Sequence, residues 1–239
     1  MKAAYTGWTW LTAKDAETAK KQLEQSFKEC KFLGYDYVEN FAFIGDYFED
    51  PNELIEMEKR CGVELVNLYG HFGTDVEENI AVGKKQIDFL AAIGGKWYNC
   101  QHGGYFGDGG PLERPTNPEV LDKICAIADT LGAYAKEKGV TLCFHPHYGT
   151  CVFWESDIDY LMAHTDPRYV SFCIDTAHTT LAGMSPVELI KKVGPRLAYM
   201  HLKDVDTYAL KTAEGADKMG TFRALGHGTC LLYTSPSPR

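Results

Sequence analysis

The sequence has no apolar run close to the roughly 20 residues needed to cross a bilayer, so no membrane partner is expected. Met1–Thr6 lacks the apolar core of a secretory signal. None of the eight cysteines forms Cys-x-x-Cys, which excludes a zinc ribbon and a dithiol redox motif. Positive charge is scarce: 24 Lys and Arg face 33 Asp and Glu, for a net charge of −9. A nucleic-acid partner would need a basic face and is not expected. Gly7-Trp8-Thr9-Trp10 is no dinucleotide fingerprint, and Gly103-Gly104 to Gly109-Gly110 lacks the Lys-Ser/Thr of a phosphate-binding P-loop. That second stretch reads instead as a flexible loop.

What is present is ordinary globular composition, 45% hydrophobic and 24% charged over 239 residues. Cys30, Cys61, Cys100, Cys125, Cys143, Cys151, Cys173 and Cys230 fall largely within apolar stretches, as reduced thiols of a cytoplasmic protein would. Strand and helix signals alternate. Strands are expected at Lys2–Gly7, Asp36–Phe41, Val63–Tyr69, Lys96–Gln101, Val140–Phe144, Val170–Ile174 and Leu197–Met200. Helices are expected at Ala16–Leu33, Pro51–Arg60, Val76–Ile93, Asn117–Lys138, Ser156–His164 and from Ser185 to about Gly194. Seven βα steps point to an α/β fold with a parallel sheet, a (β/α)8 TIM barrel rather than an open sheet. An eighth strand and its helix would need on the order of 40 more residues. Residues 1–230 are therefore expected to be a single barrel domain that stops before strand eight. Residues 231–239, Leu-Leu-Tyr-Thr-Ser-Pro-Ser-Pro-Arg, are expected to be a non-native or disordered tail. An open sheet edge leaves room for a homo-oligomer.

Six of the eight histidines follow strand ends: His71, His102, His145, His147, His178 and His201. In parallel barrels that rim carries the active site. Phe144-His145-Pro146-His147, Ile174-Asp175-Thr176-Ala177-His178 and Met200-His201-Leu202-Lys203-Asp204 each begin where an apolar strand stops. His145, Asp175 and His201 would give a divalent metal two imidazoles and a carboxylate. Such a mixed set suits Mn²⁺ or Co²⁺, with Mg²⁺, Zn²⁺ or Fe²⁺ as alternatives.

At these residues the sequence resembles the xylose isomerase-like TIM barrels, the sugar phosphate isomerase/epimerase group, and within it the inosose dehydratases. Asp175-Thr176-Ala177-His178, Ala182-Gly183-Met184-Ser185-Pro186 and Arg196–Asp204 carry the family blocks. His145-Pro146-His147-Tyr148-Gly149-Thr150 is similar to the dehydratase branch, and Gly34–Glu39 to the end of strand two. The resemblance implies a metal held by Asp175, His201 and His145, with a fourth ligand on strand eight that has no counterpart here. It also implies proton abstraction next to a carbonyl of a sugar or cyclitol, ending in loss of a β-hydroxyl. Isomerisation or epimerisation is the alternative outcome, and an inactive fragment a further one. A phosphodiester-cutting relative of endonuclease IV type is disfavoured by the net charge. His178 or His147 would protonate the leaving hydroxyl, Lys203 would hold substrate or enolate, and Asp204 would orient His201 or Lys203. Glu39, Trp8, His71, His102 and Arg223 are candidate substrate contacts.

Overall fold

The computed structural model describes residues 2–13, 15–73, 75–102 and 116–230. The Gly103–Gly110 loop and the 231–239 tail lie outside the described residues.

Parallel strands and helices alternate: β1 (Ala4–Thr6), α1 (Ala16–Phe32), β2 (Tyr37–Phe41), α2 (Pro51–Cys61), β3 (Glu64–Phe72), α3 (Val76–Ala92), β4 (Trp97–His102) and α4 (Pro118–Glu137). The second half continues with β5 (Thr141–Phe144), α5 (Glu155–His164), β6 (Val170–Asp175), α6 (Thr176–Leu181), α7 (Pro186–Val193) and β7 (Leu197–His201). The seven strands form one sheet in chain order, every pairing parallel. The sheet curls strongly, because His201 at the end of β7 lies 3.1 Å from Glu39 on β2. Among the described residues this is seven parallel strands of a (β/α)8 barrel, without the eighth. After β7 the chain forms a small antiparallel ribbon, β8 (Asp204–Val205) with β9 (Phe222–Arg223), separated by the one-turn helix α8 (Thr207–Leu210).

Helix starts follow from local chemistry. Asp15, Asp50, Asp75, Asn117 and Ser185 each accept a backbone N–H of the first turn, and Pro sits at the start of α2, α4 and α7. Gly62 closes α2 at φ 71°, a left-handed turn that a side chain would oppose. The apolar helix faces meet the outer face of the sheet in one core: Leu23, Phe27, Leu54, Ile87, Leu90, Ile124 and Leu131 against Val38, Leu65, Leu68, Tyr98, Leu142 and Phe172. No described helix is long and apolar enough to cross a membrane.

Three features differ from the sequence expectation. β3 runs three residues further, through Phe72, so His71 lies within the strand, and His102 is likewise the last residue of β4. α6 was not expected: its Thr-rich six residues show no apolar period, and it forms because the Asp175 carboxylate caps it, accepting from the N–H groups of Ala177 and His178. Asp204 does not orient His201 or Lys203. It is fully buried and accepts four backbone N–H bonds, from Val205, Gly226, Gly228 and Cys230, tying that loop to the ribbon.

Glu58, near the end of α2, is buried and accepts the Leu65 N–H at 2.6 Å, and burial pushes its carboxyl up to about 7. The folded chain therefore holds this proton between about 4.5 and 7 while the unfolded chain releases it, and stability falls as pH rises through that window. Glu58→Gln should raise the melting temperature at pH 8 and change it little at pH 5. A difference that stays constant across that range contradicts this linkage.

Candidate active site

Strand alternation decides which side chains enter the barrel. Tyr69 and His71 of β3, Asn99 and Gln101 of β4, Cys173 and Asp175 of β6, and Tyr199 and His201 of β7 line the concave side, with Glu39 from β2 and His145 just beyond β5. Their contacts cross the sheet: the Asn99 amide nitrogen is 3.3 Å from His201 Nε2, and Tyr69 Oη donates to Gln101 Oε1. Gln101 in turn hydrogen-bonds His71. The Tyr69 ring packs edge-on to His145 and His201, with centroids 5.3 and 6.1 Å away.

Hydrogen bonds fix the imidazoles. His145 Nδ1 donates to the Cys173 carbonyl at 3.1 Å, which leaves Nε2 with its lone pair free. His147 Nδ1 donates to the Tyr148 carbonyl at 2.6 Å, with the same result. His201 Nε2 faces both Glu39 carboxylate oxygens, at 3.1 and 3.2 Å, and its Nδ1 lies 3.8 Å from Asp175 Oδ2. That oxygen is buried and takes no hydrogen bond, although the Lys203 ammonium is 3.0 Å away. The His145 and His201 rings are 4.6 Å apart, and those of His147 and His178 only 3.6 Å.

Burial holds His145 and His178 well below the usual imidazole range and brings His147 down to about 4, so all three are neutral at pH 7. Burial would lower His201 too, but the Glu39 carboxylate outweighs it and raises that imidazole. Burial would raise Asp175, but the positive charge around it, the Lys203 ammonium at 3.0 Å included, outweighs burial and holds the carboxyl below its usual range.

The structure brings His145, Asp175, His201, His147, His178, Lys203 and Glu39 into one cluster. Trp8 stands at its edge, 47% exposed, its ring 5.8 Å from Phe41. Two candidates fall elsewhere. His102 is on the opposite parity of β4 from Asn99 and Gln101, so it points into the helix layer beside Phe72, Ile124, Ile127 and Phe144. Arg223 is exposed on the ribbon, bonded to the Gly220 and Phe222 carbonyls and to Asp206. Its neighbour Phe222 is the one that faces the site, 5.4 Å from the His178 ring. The sequence reading missed Tyr69, Asn99, Gln101, Cys173 and Tyr199. Counting back in twos from the strand-end His71, His201 and Asp175 would have found Tyr69, Tyr199 and Cys173.

The residues present fit a divalent metal. Asp175 Oδ2 is buried and without a hydrogen bond, His201 Nδ1 is 3.8 Å from it, and His145 keeps its Nε2 lone pair free. Two donor sets, neither of which includes Asp175, place their ligand atoms within 4.8 Å of one another: His145, Cys173 and His201, and His145, His147 and His178.

Known proteins agree with this architecture. The family model of the xylose isomerase-like TIM barrel matches residues 27–235. The chain belongs to this family. It is 31% identical to an inosose dehydratase of Bacillus anthracis (strain CDC 684 / NRRL 3495), a match that covers 90% of this chain and 76% of that protein. Among solved structures, a D-allulose 3-epimerase from Methylomonas sp. superposes with a TM-score of 0.75 at 16% identity, covering 96% of this chain and 76% of that one. A zinc-bound IOLI protein superposes with a TM-score of 0.70 at 17% identity, covering 97% and 82%. These likenesses support a barrel enzyme that modifies sugars or cyclitols.

Among the described residues, His102 Nδ1 is buried without a partner beside apolar side chains, an arrangement that costs about 1–3 kcal/mol. His102→Leu should keep or raise the melting temperature and leave the site intact, whereas Gln101→Leu should perturb it. Equal damage from both, read by His71 and His201 imidazole NMR shifts, would contradict the strand parity.

Proposed function

We propose that the chain is a metal-dependent carbon–oxygen lyase that removes water from an inosose, a cyclic polyhydroxy ketone. The observation that carries this reading is the buried cluster of His145, Asp175 and His201 beside a lone-pair imidazole and an ammonium, in a chain 31% identical to an inosose dehydratase. His145, Asp175 and His201 would hold the metal, Mn²⁺ or Co²⁺ before Zn²⁺. Bound there, it acts as a Lewis acid on the substrate carbonyl and an adjacent hydroxyl.

The chain's own groups divide the remaining work. His147 has its Nδ1–H committed to the Tyr148 carbonyl, so its Nε2 can only accept a proton. It is therefore the base for the C–H next to the carbonyl, rather than the acid that the sequence suggested. Lys203, 3.0 Å from Asp175 Oδ2 and 3.2 Å from His178 Nε2, is the donor to the departing β-hydroxyl, which leaves as water. Asp175 holds that ammonium in place. Glu39 fixes the His201 ring through Nε2 and leaves Nδ1 for the metal. Trp8 and Phe41 form an aromatic wall for the C–H face of a ring. The enzyme is taken to act on an unanchored small molecule in the cytoplasm.

The test is turnover of 2-keto-myo-inositol with added Mn²⁺ or Co²⁺, read as a product lighter by one water. Asp175→Asn should lower kcat by about 100-fold or more while the protein stays folded. Epimerisation of D-allulose without any dehydration of the inosose would overturn the assignment, as would full activity in Asp175→Asn.

A further inference from the structure

Two donor sets share His145 but cannot use it together. Its Nδ1 is bonded to the Cys173 carbonyl, so Nε2 offers one lone pair to one ion. One set leans toward β7, through Cys173 and His201. The other, His145, His147 and His178, stays on the β5–β6 side and consists of imidazoles alone. In it, the rings of His147 and His178 are 3.6 Å apart, and His145 is 5.4 and 5.9 Å from them. Two of the three carry a backbone carbonyl on Nδ1, the arrangement that orients metal-binding imidazoles. The third, His178, is 1% exposed; its Nδ1 has no hydrogen-bond partner among the described residues, and its Nε2 faces the Lys203 ammonium at 3.2 Å, which a cation here would displace. A tetrahedral ion with bonds of about 2.1 Å wants its nitrogens about 3.4 Å apart. The ligand atoms of the three rings all lie within 4.8 Å of one another.

We infer that His145, His147 and His178 form a second cation position, selective for borderline ions such as Zn²⁺, that competes with the catalytic position for His145. Three imidazoles and an open fourth position suit zinc, whereas Mn²⁺ and Mg²⁺ prefer oxygen donors. The position is complete within the described residues and needs no ligand from a further strand. On the reading proposed above, an ion here removes His145 from the catalytic metal and His147 from proton abstraction, so excess zinc inhibits. The assignment of the position rests on the geometry and not on that reading.

The experiment is binding, not activity. The full chain is stripped of metal and titrated with Zn²⁺ by calorimetry and with Co²⁺ by visible absorption. His147→Gln, His178→Gln and His201→Gln are compared, with circular dichroism confirming that each is folded. His147→Gln and His178→Gln should each weaken Zn²⁺ binding by about tenfold or more, with His201→Gln within about threefold of the native chain. The Co²⁺ spectrum should lack a thiolate charge-transfer band. Loss of zinc on His201→Gln with retention on His147→Gln would overturn the inference, as would a thiolate band from Cys173 or the absence of zinc binding. Inosose turnover is measured separately, so failure of either proposal is visible without the other.

Discussion

The contact between Glu39 on β2 and His201 on β7 is what the site depends on. These strands are five apart in the sheet, and the two side chains meet only because the sheet curls. An isolated carboxylate in this interior would be costly. Glu39 is balanced by His201 and by the Thr6 hydroxyl, which donates to it at 2.7 Å. The pairing in turn fixes which nitrogen of His201 faces Asp175. The approach of β2 to β7 and the orientation of the His201 ring thus meet in one buried pair.

Around it the interior buries several polar side chains. Asn67, Asn99 and Asp175 all bury polar atoms that have no hydrogen-bond partner. Such atoms are a cost to the empty fold and a benefit once a cation or a hydroxyl-rich ligand supplies partners. The apolar work is done on the other side of the sheet, where the helices pack. This division lets the barrel carry a charged, hydrogen-bonding interior without a loss of core.

Much of this was legible in the chain itself. The βα rhythm located the seven parallel strands and the six longer helices to within a few residues, because Pro, Gly, Asp, Asn or Ser punctuates most of those helices with a stated backbone job. The cluster at His145, Asp175 and His201 was legible because charged residues ending apolar strands need a reason to be there. His102 misled, since proximity to a strand end says nothing about which face a side chain takes, and one residue of phase sends it into the helix layer. Arg223 misled because the antiparallel ribbon depends on four N–H bonds to Asp204, a tertiary arrangement with no local pattern. Asn99 went unread because its role appears only when β4 and β7, far apart in sequence, bring it to His201.

The central claim is that this interior removes a proton from carbon next to a carbonyl. The most direct measurement is proton NMR of 2-keto-myo-inositol incubated with the chain in D₂O, with Mn²⁺ or Co²⁺ supplied or chelated. Metal-assisted proton abstraction predicts that the signal of the C–H beside the carbonyl disappears with metal present and persists when the metal is chelated. Persistence of that signal with metal bound would contradict it.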